Sequence, residues 1–137
     1  MFSITKTANQ LACTFSSSLD LVDRAVREAV IFLEQLDTGV SIFEFSLILR
    51  EALNNAVLHG NKNDSKHQVK CALAVTGKTL EISVSDQGKG FDWRAARDKK
   101  IVGPQATHGR GLSLMKSYGY SISFNPTGNK MMLKKEW

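Results

Sequence analysis

With 137 residues, 42% of them hydrophobic, the chain has material for one packed core and little for a second domain. Its 18 Lys and Arg against 13 Asp and Glu give a net charge of +5, which favours acidic partners such as nucleotides, but the basic residues are dispersed and not interleaved with stacking aromatics, which argues against direct nucleic-acid binding. The longest apolar stretches, such as Ala29-Val30-Ile31-Phe32-Leu33, are too short to cross a membrane, and residues 1–6 lack the apolar core of a signal peptide, so the cytoplasm is the expected compartment.

Residues 9–16 alternate apolar and polar side chains, with Leu11, Cys13 and Phe15 on one side, and predict a short strand. Ser17 or Ser18 then caps a helix whose apolar positions, Leu21, Val22, Ala25, Val26, Ala29, Phe32, Leu33 and Leu36, recur every three or four residues until Gly39 closes it. Ser41 caps a second helix, with Phe45, Ile48, Leu49, Ala52, Leu53, Ala56 and Val57 as its stripe, which runs to about His59 and stops at Gly60. After a polar loop, residues 68–75 and 79–85 predict two strands joined at Gly77-Lys78. Residues 87–111 are rich in glycine and charge and read as a lid with a short helix around Trp93 to Arg97. A helix over residues 112–118 ends at Gly119, and two further strands, 120–124 and 130–135, flank an Asn-Pro-Thr-Gly-Asn turn. Cys13 and Cys71 lie in strand-like contexts with no zinc spacing and read as two buried free thiols. Strands grouped with helices on one side predict an α+β two-layer sandwich.

Three clusters carry chemistry. In Glu51-Ala52-Leu53-Asn54-Asn55-Ala56-Val57-Leu58-His59-Gly60, Glu51 and Asn55 are four residues apart and share a helix face beside the apolar stripe. A carboxylate that takes a proton next to an amide oxygen that binds a hard cation suits metal-assisted phosphoryl transfer. A solvated helix pair is the plainer reading. In Asp86-Gln87-Gly88-Lys89-Gly90-Phe91, an Asp at a strand end can accept a hydrogen bond from an exocyclic amine such as adenine's, and two glycines let backbone approach a flat ring. The plainer reading is a turn. In Gly109-Arg110-Gly111-Leu112, a glycine pair opens the predicted helix, where free N–H groups attract anions and Arg110 can reach a terminal phosphate. A linker with a helix cap is the alternative. The order of the three on one scaffold raises the signal above each alone, and it matches neither a Walker loop nor a dinucleotide fingerprint.

In these segments the chain resembles the GHKL ATPase superfamily, named for gyrase, the heat-shock chaperone, histidine kinases and the mismatch-repair ATPase. The resemblance runs from about Leu11 to Leu133. Within the superfamily the chain is most similar to the anti-sigma factor serine kinases, which share the run from Glu51 to Gly60. The resemblance implies a Bergerat-type fold: a single domain over residues 1–137, a mixed, mostly antiparallel sheet with helices on one face, and a lid over about residues 92–111. It implies ATP and Mg²⁺ as cofactors. Glu51 would be the general base, Asn55 the Mg²⁺ ligand and Asp86 the partner of the adenine amine. Gly88 and Gly90 would shape the adenine pocket, and Gly109, Arg110, Gly111 and Leu112 would wrap the phosphates. His59 would cap the helix. The implied partners are a sigma factor and an anti-sigma-factor antagonist phosphorylated on a serine, with room for a homodimer.

The chain also departs from its relatives. Ala106-Thr107-His108 stands where kinase relatives often carry a basic lid residue, and Asn129-Lys130-Met131 stands where a threonine commonly lines the adenine pocket. Two other functions fit the same motifs: a non-catalytic module that senses ATP or sequesters a partner, and a detached histidine kinase ATPase domain.

Overall fold

The computed structural model describes residues 1–90 and 106–137, with the backbone alone for residues 106–110. The expected short helix around Trp93 to Arg97, and the lid before residue 106, lie outside the described residues.

Six strands form one sheet: β1 (Phe2–Lys6), β2 (Gln10–Ser16), β3 (Gln68–Thr76), β4 (Thr79–Ser85), β5 (Ser121–Phe124) and β6 (Lys130–Glu136). Their order is β1-β2-β3-β4-β6-β5, and each described pairing is antiparallel. Helices α1 (Leu19–Glu34), α2 (Ile42–Asn55) and α3 (Ala106–Ser117) complete an α+β sandwich, and α2 continues into a π-helical turn at Ala56–Gly60. Period-2 patterning sends Leu11, Cys13 and Phe15, Val69, Cys71 and Leu73, and Leu80, Ile82 and Val84 into one core, where they meet the α1 and α2 stripes. Each such large side chain contributes about 1.5–3 kcal/mol on burial. Cys13 and Cys71, 58 positions apart in sequence, are opposite each other in the β2–β3 register, and both are buried and free. Hydrogen bonding with Cys13 and burial together hold the Cys71 thiol well above its usual range.

The sheet has a strand more than the sequence reading gave. Phe2 and Ile4 in β1 pair with Phe15 and Cys13 and face the same side, with the Phe2 ring 5.9 Å from Phe15 and the Arg24 guanidinium 4.1 Å above it. Residues 2–6 alternate as a strand does, so the pattern was available.

Helix ends also differ. Helix α1 stops at Glu34 with Gln35 as C-cap, five residues before the expected Gly39. Gly39 has a packing role instead: a Cβ there would lie 2.7 Å from the Trp137 ring. Ser18 is the N-cap of α1 by backbone conformation, but its side chain makes no capping bond. Helix α3 begins at Ala106 rather than Leu112, so Gly109, Arg110 and Gly111 lie within the helix and not ahead of it. Helical glycine costs about 1 kcal/mol relative to alanine but is not forbidden, and at Gly111 a Cβ would crowd the Glu51 carboxylate. Among the described residues no helix is long and apolar enough to cross a membrane.

Candidate nucleotide site

The site begins with the end of α2. Asn55 is only 8% exposed, an unusual position for an amide on a helix whose other buried residues are apolar. Past Asn55 the helix widens. The Asn61 N–H donates to the Ala56 carbonyl at 2.8 Å, and the Asn63 N–H to the Val57 carbonyl at 2.7 Å. Turns of this π type recur at functional sites. The chain leaves through Lys62 and Asn63, both non-glycine residues at positive φ, 52° and 56°.

The second wall is the end of β4. Asp86 has left the sheet, held by its N–H donating to the Asn129 carbonyl at 2.9 Å. Its Oδ1 accepts the Gly88 N–H at 2.8 Å, closing a local turn. Burial raises the Asp86 pKa above its ordinary value, and the Gly88 bond opposes this only in part. The carboxylate rests directly on Gly60, where a Cβ would overlap it, and a Cβ at Gly88 would collide with the Gly60 carbonyl. Gly90, at φ 83°, passes the Thr127 carbonyl with no room for a side chain. The first two clusters, 26 residues apart from Gly60 to Asp86, are therefore in direct contact.

Between these walls is a cavity of about 50 Å³. Asn55, His59, Asp86, Asn129 and Lys130 provide its polar lining, and Ala52, Ala56, Val84, Phe124 and Met131 its apolar lining. Whole ligand sites hold several hundred Å³, so this cavity alone has room for only part of a ligand. Small apolar walls around one half-buried carboxylate fit a flat ring that carries an amine: the walls take the faces and Asp86 accepts from the amine. Adenine meets that requirement.

Glu51 lies one helical turn before Asn55. A Cβ on Gly111 would come within 2.6 Å of Glu51 Oε1, so the third cluster packs on the carboxylate of the first. Leu112, the next residue, packs against the core. Of Gly109 and Arg110 only the backbone, in α3, is described. Among the described residues no group of three His, Cys, Asp or Glu is placed to hold a metal ion. Mg²⁺ commonly takes one or two protein oxygens and completes its shell with phosphates and water, and the Asn55 amide oxygen at the cavity wall suits that arrangement.

Sequence reasoning placed Asn129 at the pocket but missed its bond to Gly88, and it missed Gly60 as a packing surface for Asp86 and the amides Asn61 and Asn125. The Asn125 Oδ1 accepts the N–H groups of Gly128, Asn129 and Lys130 at 2.8, 3.0 and 3.2 Å. The Asn129 Nδ2 donates to the Gly88 carbonyl at 3.2 Å. The available signal was a concentration of asparagine in two loops, but nothing in the sequence joins them.

Comparison with known proteins agrees with this geometry. The histidine kinase-like ATPase domain family matches residues 15–135. An anti-sigma F factor of Shouchella clausii is 30% identical over 136 residues, covering 94% of this chain and 93% of that protein. One of Geobacillus stearothermophilus is 26% identical with the same coverage, and one of Anoxybacillus flavithermus is 32% identical over 62 residues, 44% of this chain and 42% of that protein. From the reach of that match and the contact among its three motifs, the chain belongs to the histidine kinase-like ATPase family of the GHKL superfamily.

Proposed function

We propose that the protein is an ATP-dependent serine-protein kinase that acts as an anti-sigma-type regulator, holding a sigma factor and phosphorylating a serine on an antagonist protein in the cytoplasm. The observation that carries this reading is the junction of the three motifs: Asn55 and Asp86 line one cavity, and Glu51, one turn away, packs on Gly111. The name shared by the relatives, anti-sigma F factor, supports the sigma-factor half of the proposal.

When bound, Mg·ATP supplies the phosphoryl group and the charge screening for its transfer. Asp86 would accept from the adenine amine and fix the base. Asn55 would hold the metal and so the phosphates. Glu51 would accept the proton of the attacking serine hydroxyl. Gly109, Arg110, Gly111 and Leu112, on α3, would face the phosphate end.

The test is transfer from labelled ATP to a serine of a candidate antagonist, with nucleotide binding measured in parallel. Wild type should bind Mg·ATP and transfer phosphate. Binding with capture of a sigma factor but transfer to no antagonist would favour a non-catalytic sequestering module. Loss of nucleotide binding altogether would defeat both readings.

A further inference from the structure

The turn that carries Asp86 lies beyond the sheet that should hold it. The β3–β4 register ends at the Lys70–Ser85 pair, so Asp86 and Gln87 have no ladder partner on β3. Asn61 supplies one. It is 1% exposed, its Oδ1 accepts the Gln87 N–H at 2.8 Å, and its Nδ2 donates to the Gln68 carbonyl at 3.0 Å. The two partners fix the amide's orientation, since one is a donor and the other an acceptor. The Gln87 side chain completes the strap, its Oε1 accepting the Gln68 N–H at 2.6 Å.

Asn61 is itself fixed. Its N–H closes the π turn on Ala56, and its carbonyl accepts the Asp64 N–H at 3.0 Å. The residue before it, Gly60, is the surface on which the Asp86 carboxylate rests. Two consecutive residues thus hold Asp86 from two sides: Gly60 limits where the carboxylate sits, and Asn61 holds the backbone of the next residue.

We propose that Asn61 is a positioning residue that sets the aim of the Asp86 carboxylate and thereby the preference for a 6-amino purine. It touches no substrate and acts through Gln87. This rests on the nucleotide reading above. Removing the Asn61 amide leaves the Gln87 N–H and the Gln68 carbonyl without that partner, so the turn settles elsewhere and Asp86 no longer meets the amine.

The experiment compares the affinities of the full chain for Mg·ATP and Mg·ITP by calorimetry. ITP carries a carbonyl in place of the amine and would face the Asp86 carboxylate with an acceptor. Wild type should prefer ATP by about tenfold or more, the value of one hydrogen bond to a charged group. In folded Asn61→Ala the ratio should fall to about threefold or less, with ITP affinity nearly unchanged. A general loosening of the fold would instead weaken both nucleotides alike. An unchanged ratio, or equal loss for both, overturns the assignment. If Asn61→Ala does not fold, Gln87→Ala serves: its exposed side chain provides the second strap, and the ratio should fall part of the way. An unchanged ratio there is equally fatal. Wild type that binds neither nucleotide overturns the nucleotide reading and this assignment with it, whereas wild type that prefers ATP while both variants match it removes Asn61 alone.

Discussion

Helices α1 and α2 pack on each other over the same sheet, yet they do different work. The six buried residues of α1, Val22, Ala25, Val26, Ala29, Phe32 and Leu33, are all apolar. Helix α2 buries Phe45, Ile48, Leu49, Ala52 and Leu53 in the same way, then buries Asn55 and leaves α geometry at Ala56. An uninterrupted stripe describes a scaffold. A polar group on the buried margin carries a desolvation cost that packing alone does not justify, and in α2 it coincides with the cavity. The difference shows where to look in a helical layer for chemistry: at the residue that breaks the stripe.

Paired substitutions can break or sharpen the contrast. The largest effect belongs to α2. Glu51→Gln should slow phosphoryl transfer by about 10²–10⁴-fold, the usual worth of general-base assistance, while nucleotide affinity stays close to wild type. Equal transfer rates in a quantified kinase assay would remove Glu51 from the base role. On α1 the matching change is Phe32→Ala, which should reduce stability by about 3–5 kcal/mol through lost burial and a cavity. Denaturant melts read the loss, and nucleotide affinity per folded molecule should not change. An affinity change there would show that α1 is not a bystander.

A smaller effect tests the cavity that α2 helps to build. Asp86→Ala should weaken nucleotide binding by about 1–3 kcal/mol, because the amine loses a half-buried acceptor. The raised pKa of Asp86 gives this site a pH signature. Burial favours the neutral form, so the contribution of this group to apo stability is full below the unfolded value and is lost as pH rises through the folded one. Nucleotide affinity runs the other way: it should weaken as pH falls through the raised pKa, when the acceptor loses its charge. Calorimetry of wild type against Asp86→Asn across that range checks the sign, and identical pH profiles would exclude Asp86 as the titrating group.

Much of this was legible in the sequence, and the exceptions have physical causes. Periodicity identified α1, α2 and β2 to β4 because burial on one side leaves a repeating pattern, and the three motifs were visible because each needs glycine or a carboxylate at fixed spacing. Strand β1 shows the same alternation at Phe2 and Ile4 but is only five residues long. The π turn was not legible. The contacts that accompany it, Gly60 with Asp86 and Asn61 with Gln68 and Gln87, span 7 to 26 residues. The amide clamp at Asn125 and Asn129 was hidden for the same reason: a turn-forming asparagine and one that bonds Gly88, 41 residues away, look alike in the chain. Gly39 illustrates the converse, a residue read correctly as special and assigned the wrong task, since its partner Trp137 is at the far end of the sequence.

The smallest effect separates the two helices at their N-caps, where both carry serine. Ser41 has the extended backbone of an N-cap, and its Oγ accepts the Glu44 N–H at 3.2 Å, satisfying one of the orphan donors of the first turn of α2. Ser18 has a similar extended backbone at the start of α1, φ −158° and ψ 138°, but its hydroxyl makes no such bond. Residue type and position would rank the two alike, so only the bond distinguishes them. Ser41→Ala should cost about 1 kcal/mol of stability. Ser18→Ala should stay within about 0.5 kcal/mol, since the half-buried hydroxyl makes no capping bond to lose. Chemical denaturation of the two variants side by side resolves a gap of this size. Equal losses would mean that α1 draws on a capping bond at Ser18 after all, and the contrast between the helices would then begin only at Asn55.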